Sequence, residues 1–206
     1  MESDAASIGP RGPYAKSAIR RAEILDQAIE LISQRGTSGT SLRTIAASLG
    51  VTHAALQYYF DSRENLLLEV LDTGEARAAA AQPRRDGGAI ERMRQNTRRN
   101  ESISGLVQLY LGLAARALES EGPVRDHIVS RFEKIRHDIA RQVEADKSAG
   151  LVPADVEPTA LASLIIAAAD GLQLQAMLDP TVDRDASLAL LERLLRGRDA
   201  RAGDHD

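Results

Sequence analysis

The sequence predicts an all-α protein of about nine helices, a small N-terminal three-helix unit followed by a larger helical domain. Three observations carry this. Apolar residues recur at helical spacing along nearly the whole chain, the runs between them are broken by Gly and Pro, and no stretch shows the period-two alternation of a half-buried strand.

Ala18, Ala22, Leu25, Ile29 and Ile32 recur every three or four residues, with Ile24, Ala28 and Leu31 widening the stripe, and Gly36 is a C-terminal stop for this first helix. Thr40 and Ser41 supply the N-cap of a short second helix with the apolar face Leu42, Ile45, Ala46 and Leu49, which Gly50 closes. Thr52 caps a third helix running through Tyr59 or Phe60, so helix, glycine turn and helix have the spacing of a helix-turn-helix. Ser62 caps a fourth, which carries Leu66, Leu67, Val70 and Leu71 and runs to about Gln82. Pro83 to Gly88 (PRRDGG) is the clearest linker. Beyond it, helices are expected over Ala89 to about Asn100, Ile103 to Leu118, Pro123 to about Lys147, Pro158 to Leu178 and Ala186 to Arg196. The expected division is a disordered arm over 1–15, a helix-turn-helix unit over 16–62, a larger domain over 63–197 and a disordered tail over 198–206.

Of the 206 residues 43% are hydrophobic and 27% charged, the balance of an ordinary globule with a core. The chain has no Cys, which removes disulfides, thiolate metal sites and Cys nucleophiles and fits a reducing, cytoplasmic setting. The opening MESDAASIGPRGPYAKS places Pro, Gly and charges where a secretory segment needs a continuous apolar run. Leu161 to Leu178 is interrupted by Ser163, Asp170, Gln173 and Gln175, and an Asp at a bilayer centre costs on the order of 2.5 to 3.5 kcal/mol, so no membrane partner is expected. Net charge is −4, but the segment through Arg63 holds seven Lys and Arg against six Asp and Glu. Any contact with nucleic acid must therefore rest on the placement of charges rather than on their total.

The stretch AIRRAEILDQAIELISQRGTSGTSLRTIAASLGVTHAALQYYFDSRENLLLEVL resembles the N-terminal DNA-binding domain of the TetR family of bacterial transcriptional regulators. About a dozen positions fall at the family's intervals, over roughly the first third of the chain. ADVEPTALASLIIAAADGLQLQAMLDP resembles the family's penultimate helix more loosely. The resemblance implies an N-terminal helix-turn-helix DNA-binding domain and a C-terminal domain for ligand binding and dimerisation. It makes the third helix the recognition helix, a shape that fits the major groove. His53 and Ala55 match positions that meet bases, Tyr58 a variable position facing the groove, Tyr59 one directed at a phosphate, and Phe60 a core plug. Arg43 matches a position that reaches guanine in some members, Thr40 and Ser41 lie where the backbone is met, Arg63 stands where Lys is usual, and Thr52, the cap of the third helix, is a further DNA-binding candidate. Two positions depart from the family pattern: Gln57 replaces a common Tyr and Ala54 a common Gly. A Gln can pair with adenine, so the first change alters sequence preference rather than abolishing binding. Lys16, Arg20, Arg21 and Arg11 add sequence-independent attraction.

A single recognition helix discriminates poorly against a genome, and a symmetric dimer doubles its contacts on half-sites about 34 Å apart or a multiple of that. The segment Leu161 to Leu178 is apolar nearly all round, more than one core can cover. With the last helix it forms the four-helix interface the resemblance implies, with Leu161, Ile165, Ala168, Leu172, Leu188, Leu191 and Leu195 as candidate residues; the alternative is a central core helix in a monomer. The remaining helices enclose a small-molecule effector pocket in the family. Met93, Leu109, Tyr110, Leu113, Phe132, Ile135, Ile139, Asp170 and Gln173 are candidates by helical position. The expected mechanism is a ligand-driven movement of the fourth helix that changes the distance between recognition helices, giving a repressor released from a palindromic double-stranded DNA operator.

Other classes have less material. His127 and His137 lie ten residues apart, roughly 15 Å along one helix and too far for one metal. No phosphate loop, nucleophile motif or zinc spacing is present, so no enzymatic activity, metal or cofactor is expected. A protein-interaction module that kept the fold without specific DNA binding is the second alternative, permitted by Gln57 and Ala54 and opposed by Arg43, Tyr59 and Arg63. The basic cluster Arg84, Arg85, Arg92, Arg94, Arg98 and Arg99 reads as either a solvated face or an attraction for an anionic ligand.

Overall fold

The computed structural model describes residues 13–36, 41–81, 86–119 and 121–196. Among them are nine α-helices and no strand: α1 (Pro13–Arg35), α2 (Leu42–Ser48), α3 (His53–Phe60), α4 (Arg63–Ala81), α5 (Ala89–Glu101), α6 (Ser104–Arg116), α7 (Pro123–Ser148), α8 (Pro158–Leu178) and α9 (Arg184–Arg196). α1 begins at Pro13, inside the segment expected as an arm. The remainder of that arm, Thr40, Arg84, Arg85 and the tail over 198–206 lie outside the described residues.

The helix starts follow capping chemistry. Ser41 Oγ accepts from Thr44 N and Thr52 Oγ1 from Ala55 N, each at 3.1 Å, and Ser62 Oγ accepts from Asn65 N at 3.0 Å. Gly50 joins α2 to α3 at φ +62°, a left-handed conformation that holds the turn short. α5 begins after Gly88, which has no side chain to offer, and its cap comes from elsewhere in the fold: buried Asp146 of α7 accepts from Ala89 N at 2.6 Å and from Gln142 Nε2 at 2.8 Å.

Two apolar cores result. The first joins Ile24, Ala28 and Ile32 of α1, Ile45 of α2, Leu56 and Phe60 of α3, Leu66, Leu67 and Leu71 of α4, and Leu106, Leu109 and Leu113 of α6. It crosses the division expected at residues 62 and 63, so the three-helix unit is seated directly on α4 and α6. α6 approaches α1 closely at Gly105, where a Cβ would overlap the Ile32 and Ser33 carbonyls. The second core gathers Ala89 and Ile90 of α5, Val143 of α7, Leu161 and Ile165 of α8 and Leu188 of α9. α9 is fixed to α5 by charge as well: Arg94 donates to Asp185 through Nε at 3.0 Å and a terminal nitrogen at 2.7 Å, and Arg98 adds a bond of 2.8 Å.

α8 is long and apolar enough to cross a membrane, and 33% of that stretch is buried in the subunit. Its inward face is Leu161, Ala162, Ile165, Ile166, Ala169 and Gln173, while Leu164, Leu174, Met177 and Leu178 are exposed. On α9, Leu188 is buried and Leu190 and Leu194 are exposed. This corrects the phase of the expected dimer face. Leu161, Ile165 and Leu188 are enclosed by their own subunit, and Ala168, Leu172, Leu191 and Leu195 pack half-buried against the same core. A helix apolar on every side carries no phase of its own; the partner helix within the subunit chooses it.

Candidate functional site

Two sites adjoin α4, one through its N-terminal half and one through its C-terminal half. The first is the outer surface of α2 and α3. Leu56 and Phe60, one turn apart, are buried in the first core, which turns His53, Ala54, Gln57 and Tyr58 to solvent. Tyr58 is 75% exposed, far beyond what packing asks of a ring. Ser41, Arg43 and Thr52 are exposed, and Ala55, Tyr59 and Arg63 are half-buried. Tyr59 packs on the first core and meets the Tyr58 ring edge-on, centroids 5.1 Å apart. The three adjacent rings thus have three environments: buried, half-buried and exposed.

Arg21 departs from expectation. Its guanidinium lies 4.7 Å over the Phe60 ring, its Nε donates to the Tyr59 carbonyl at 3.0 Å, and it pairs with Glu69 of α4. It ties α1, α3 and α4 together instead of extending outward, a cation on an aromatic face reinforced by a carboxylate.

The second site is a cavity of about 690 Å³ between α4, α5, α6, α7 and α8, within the size range of small-molecule sites. Met93, Tyr110, Phe132, Ile135, Ile139, Asp170 and Gln173 line it. Leu109 and Leu113 do not: each is 1% exposed and belongs to the first core. On α6 the stripe Leu106, Leu109 and Leu113 faces α1 and α4, while Val107 and Tyr110 face the cavity.

The polar wall is organised around Tyr110. Its hydroxyl donates to Asp170 Oδ2 at 2.8 Å. Burial pushes the Asp170 carboxyl above its ordinary range, and burial together with the adjacent carboxylate pushes the phenol up as well. Arg131 of α7 lies 5.0 Å over the Tyr110 ring and grips Glu75 of α4 with two bonds, 2.7 and 3.0 Å. Beside them His127 Nε2 is 3.1 Å from Asp72 Oδ1 of α4. One turn along α8 from Asp170, the buried Gln173 accepts from Asn100 of α5 at 3.0 Å. The sequence reading missed Glu75, Arg131 and the His127 contact. Each pair is more than fifty residues apart in the chain, so no local pattern announces it.

The basic cluster divides in the fold. Arg94 and Arg98 are bound to Asp185, and Arg92 and Arg99 line the cavity.

Comparison with known proteins gives a consistent result. The family model for bacterial regulatory proteins of the tetR family matches residues 24–70, and that for the tetracyclin repressor-like C-terminal domain matches residues 109–190. The HTH-type transcriptional regulator BetI of Rhizobium meliloti (strain 1021) is 29% identical over 184 residues, 84% of this chain and 86% of that protein. A TetR-family transcriptional regulator from Cytophaga hutchinsonii superposes with a TM-score of 0.72 at 18% identity, covering 88% of this chain and 96% of that one. A protein from Saccharomonospora viridis, solved in complex with choline, superposes at 0.68 with 22% identity, covering 85% and 95%. The last two show likeness of fold.

Proposed function

The chain belongs to the TetR family of bacterial transcriptional regulators, and from that premise we propose that it is a homodimeric repressor, released from a palindromic operator when a small molecule fills the cavity. The observation that carries this is the double use of α4. Leu66, Leu67 and Leu71 of that helix share a core with Leu56 and Phe60 of α3, while Asp72, Glu75, Ala76 and Ala79 form cavity wall. A displacement of α4 by an occupant is therefore transmitted to the recognition helix through close-packed side chains.

In this reading His53, Ala55, Gln57 and Tyr58 meet base edges, Gln57 suiting adenine and Arg43 guanine through paired hydrogen bonds. Ser41, Thr52, Tyr59 and Arg63 position the protein on phosphates, joined by Thr40. The pair of Arg131 and Glu75 is the latch: it holds α7 to α4 from within the cavity wall, and the DNA-binding arrangement is the one in which it is closed.

The dimer forms through α8 and α9. Leu164, Leu174 and Leu178 are exposed along one side of α8, with Ala167 and Gly171 between them to permit close approach, and Leu190 and Leu194 are exposed on the adjoining α9. A contiguous apolar surface of this kind on a subunit marks an interface, and a twofold axis makes it self-complementary.

The test is selection of bound genomic fragments by the purified protein, followed by affinity measurements across salt concentrations. A palindromic site with a steeply negative dependence of log affinity on log salt supports the proposal; absence of any selected sequence contradicts it.

A further inference from the structure

We propose that the cavity takes an amphipathic organic cation, its charged head drawn to Asp170 beside the Tyr110 and Phe132 rings and its apolar body lying along Ile135, Ile139 and Ile166. The proposal rests on reading the cavity as the effector site and goes beyond it by naming the ligand's class.

Four acidic side chains, Asp72, Glu75, Asp138 and Asp170, and four basic ones, Arg92, Arg99, Arg131 and Lys134, line the cavity, with Arg92 and Arg99 half-buried on α5, so its charge balances as a whole and is uneven only locally, around Asp170. Asp72, Asp138 and Lys134 are exposed, where water and salt screen them. Glu75 and Arg131 neutralise one another through two hydrogen bonds, with side-chain exposures of only 26% and 22%. Asp170 has a neutral phenol as its hydrogen-bond donor, and the charges it senses are those of Arg131 and Glu75, which oppose each other. With Asp170 ionised, the trio Asp170, Glu75 and Arg131 therefore carries a net negative charge in a half-buried part of the wall. A half-buried carboxylate in this position gains a proton or gains a cation. The Tyr110 and Phe132 rings, edge to face with centroids 6.5 Å apart, add the negative faces that attract an ammonium or similar head. An anionic head placed there would meet the Asp170 charge directly.

The same geometry explains how such a ligand would act. Arg131 lies 5.0 Å over the Tyr110 ring. A second cation entering beside Asp170 repels it and weakens its hold on Glu75, so the ligand favours the arrangement in which the latch to α4 is open. That difference in affinity between two arrangements is what allows a ligand to shift an equilibrium.

Three probes of one shape and different charge decide the matter: hexylammonium, hexan-1-ol and hexanoate, titrated calorimetrically at neutral pH and then assayed for release of a selected duplex. The expected order is hexylammonium at least tenfold tighter than hexan-1-ol, with hexanoate weakest. In Asp170→Asn the advantage of the cation over the alcohol falls below threefold. The proposal is overturned if hexanoate or hexan-1-ol binds as well as the cation, if none of the three binds, or if the advantage survives in Asp170→Asn. Should that variant fail to fold, the order in the unaltered protein still decides. If hexanoate binds and releases the duplex, the ligand class is wrong and the effector cavity stands; if hexylammonium binds with its advantage and the duplex stays bound, the reverse holds.

Discussion

Breaking the latch between Arg131 and Glu75 should weaken DNA binding without any ligand. The pair makes two charge-assisted bonds, 2.7 and 3.0 Å, between side chains 22% and 26% exposed. At such separations the gross attraction is about 4 kcal/mol for an effective dielectric constant near 20. Exposed pairs retain about 0.2 to 1 kcal/mol after desolvation and ordering. A bidentate pair that is mostly buried falls between these bounds, at about 1.5 kcal/mol. Glu75→Gln is expected to lower the thermal midpoint by about 3 to 6 °C for a chain of this size. If the latch closes only in the DNA-binding arrangement, affinity for a selected duplex falls by about tenfold. Arg131→Gln costs more, because it also removes the cation from the Tyr110 ring, and the double variant is less than additive. Calorimetry and duplex titration on the four proteins of the cycle provide both readings. A coupling energy below about 0.3 kcal/mol, or unchanged duplex affinity in Glu75→Gln, would refute the reasoning.

Asp146→Ala leaves the Ala89 N–H buried without its acceptor and should cost about 1 to 3 kcal/mol by denaturant unfolding, Asp146→Asn restoring more than half of it. Equal losses in the two variants would show that the cap is not what holds α5. Leu174→Glu combined with Leu194→Glu places charges on the exposed apolar faces of α8 and α9, and sedimentation should show a single subunit; a persisting dimer places the interface elsewhere. The hydrogen bonds from Arg94 and Arg98 lower the Asp185 carboxyl to about 2 from an ordinary 3.8. A depressed carboxylate adds stability that is complete above the unfolded value and is lost as pH falls through the folded one. The acid limb between about pH 4 and pH 2 should therefore flatten in Asp185→Asn, measured as urea midpoints, and an unchanged slope removes Asp185 from that limb.

The helices were legible because their ends are chemical. Ser41, Thr52 and Ser62 cap as their sequence positions suggest, and Gly50 takes the left-handed turn. The role of Phe60 as a plug was legible for the same local reason, one helical turn from Leu56. What the sequence withheld is whatever depends on a partner helix. α6 has apolar residues on two faces, and only its neighbours decide that Tyr110 reaches both the first core and the cavity while Leu109 and Leu113 join the core alone. α8 has no polar face to set its phase, so Leu161 and Ile165 turned inward where an interface was expected. Arg21 reads as a surface cation in a basic run, yet the adjacent Phe60 ring and Glu69 draw it in. Glu75 and Arg131 belong to separate helices and have no local signature at all.

The central claim is that the exposed surface of α2 and α3 reads a duplex. Its most direct test is the affinity of the unaltered protein, Arg43→Ala and Gln57→Ala for a selected site and for single-base variants of that site, at two salt concentrations. Each substitution is expected to cost about 1 to 3 kcal/mol and to relax preference at one base position per half-site. Binding that is indifferent to both substitutions and to every base change would contradict the claim.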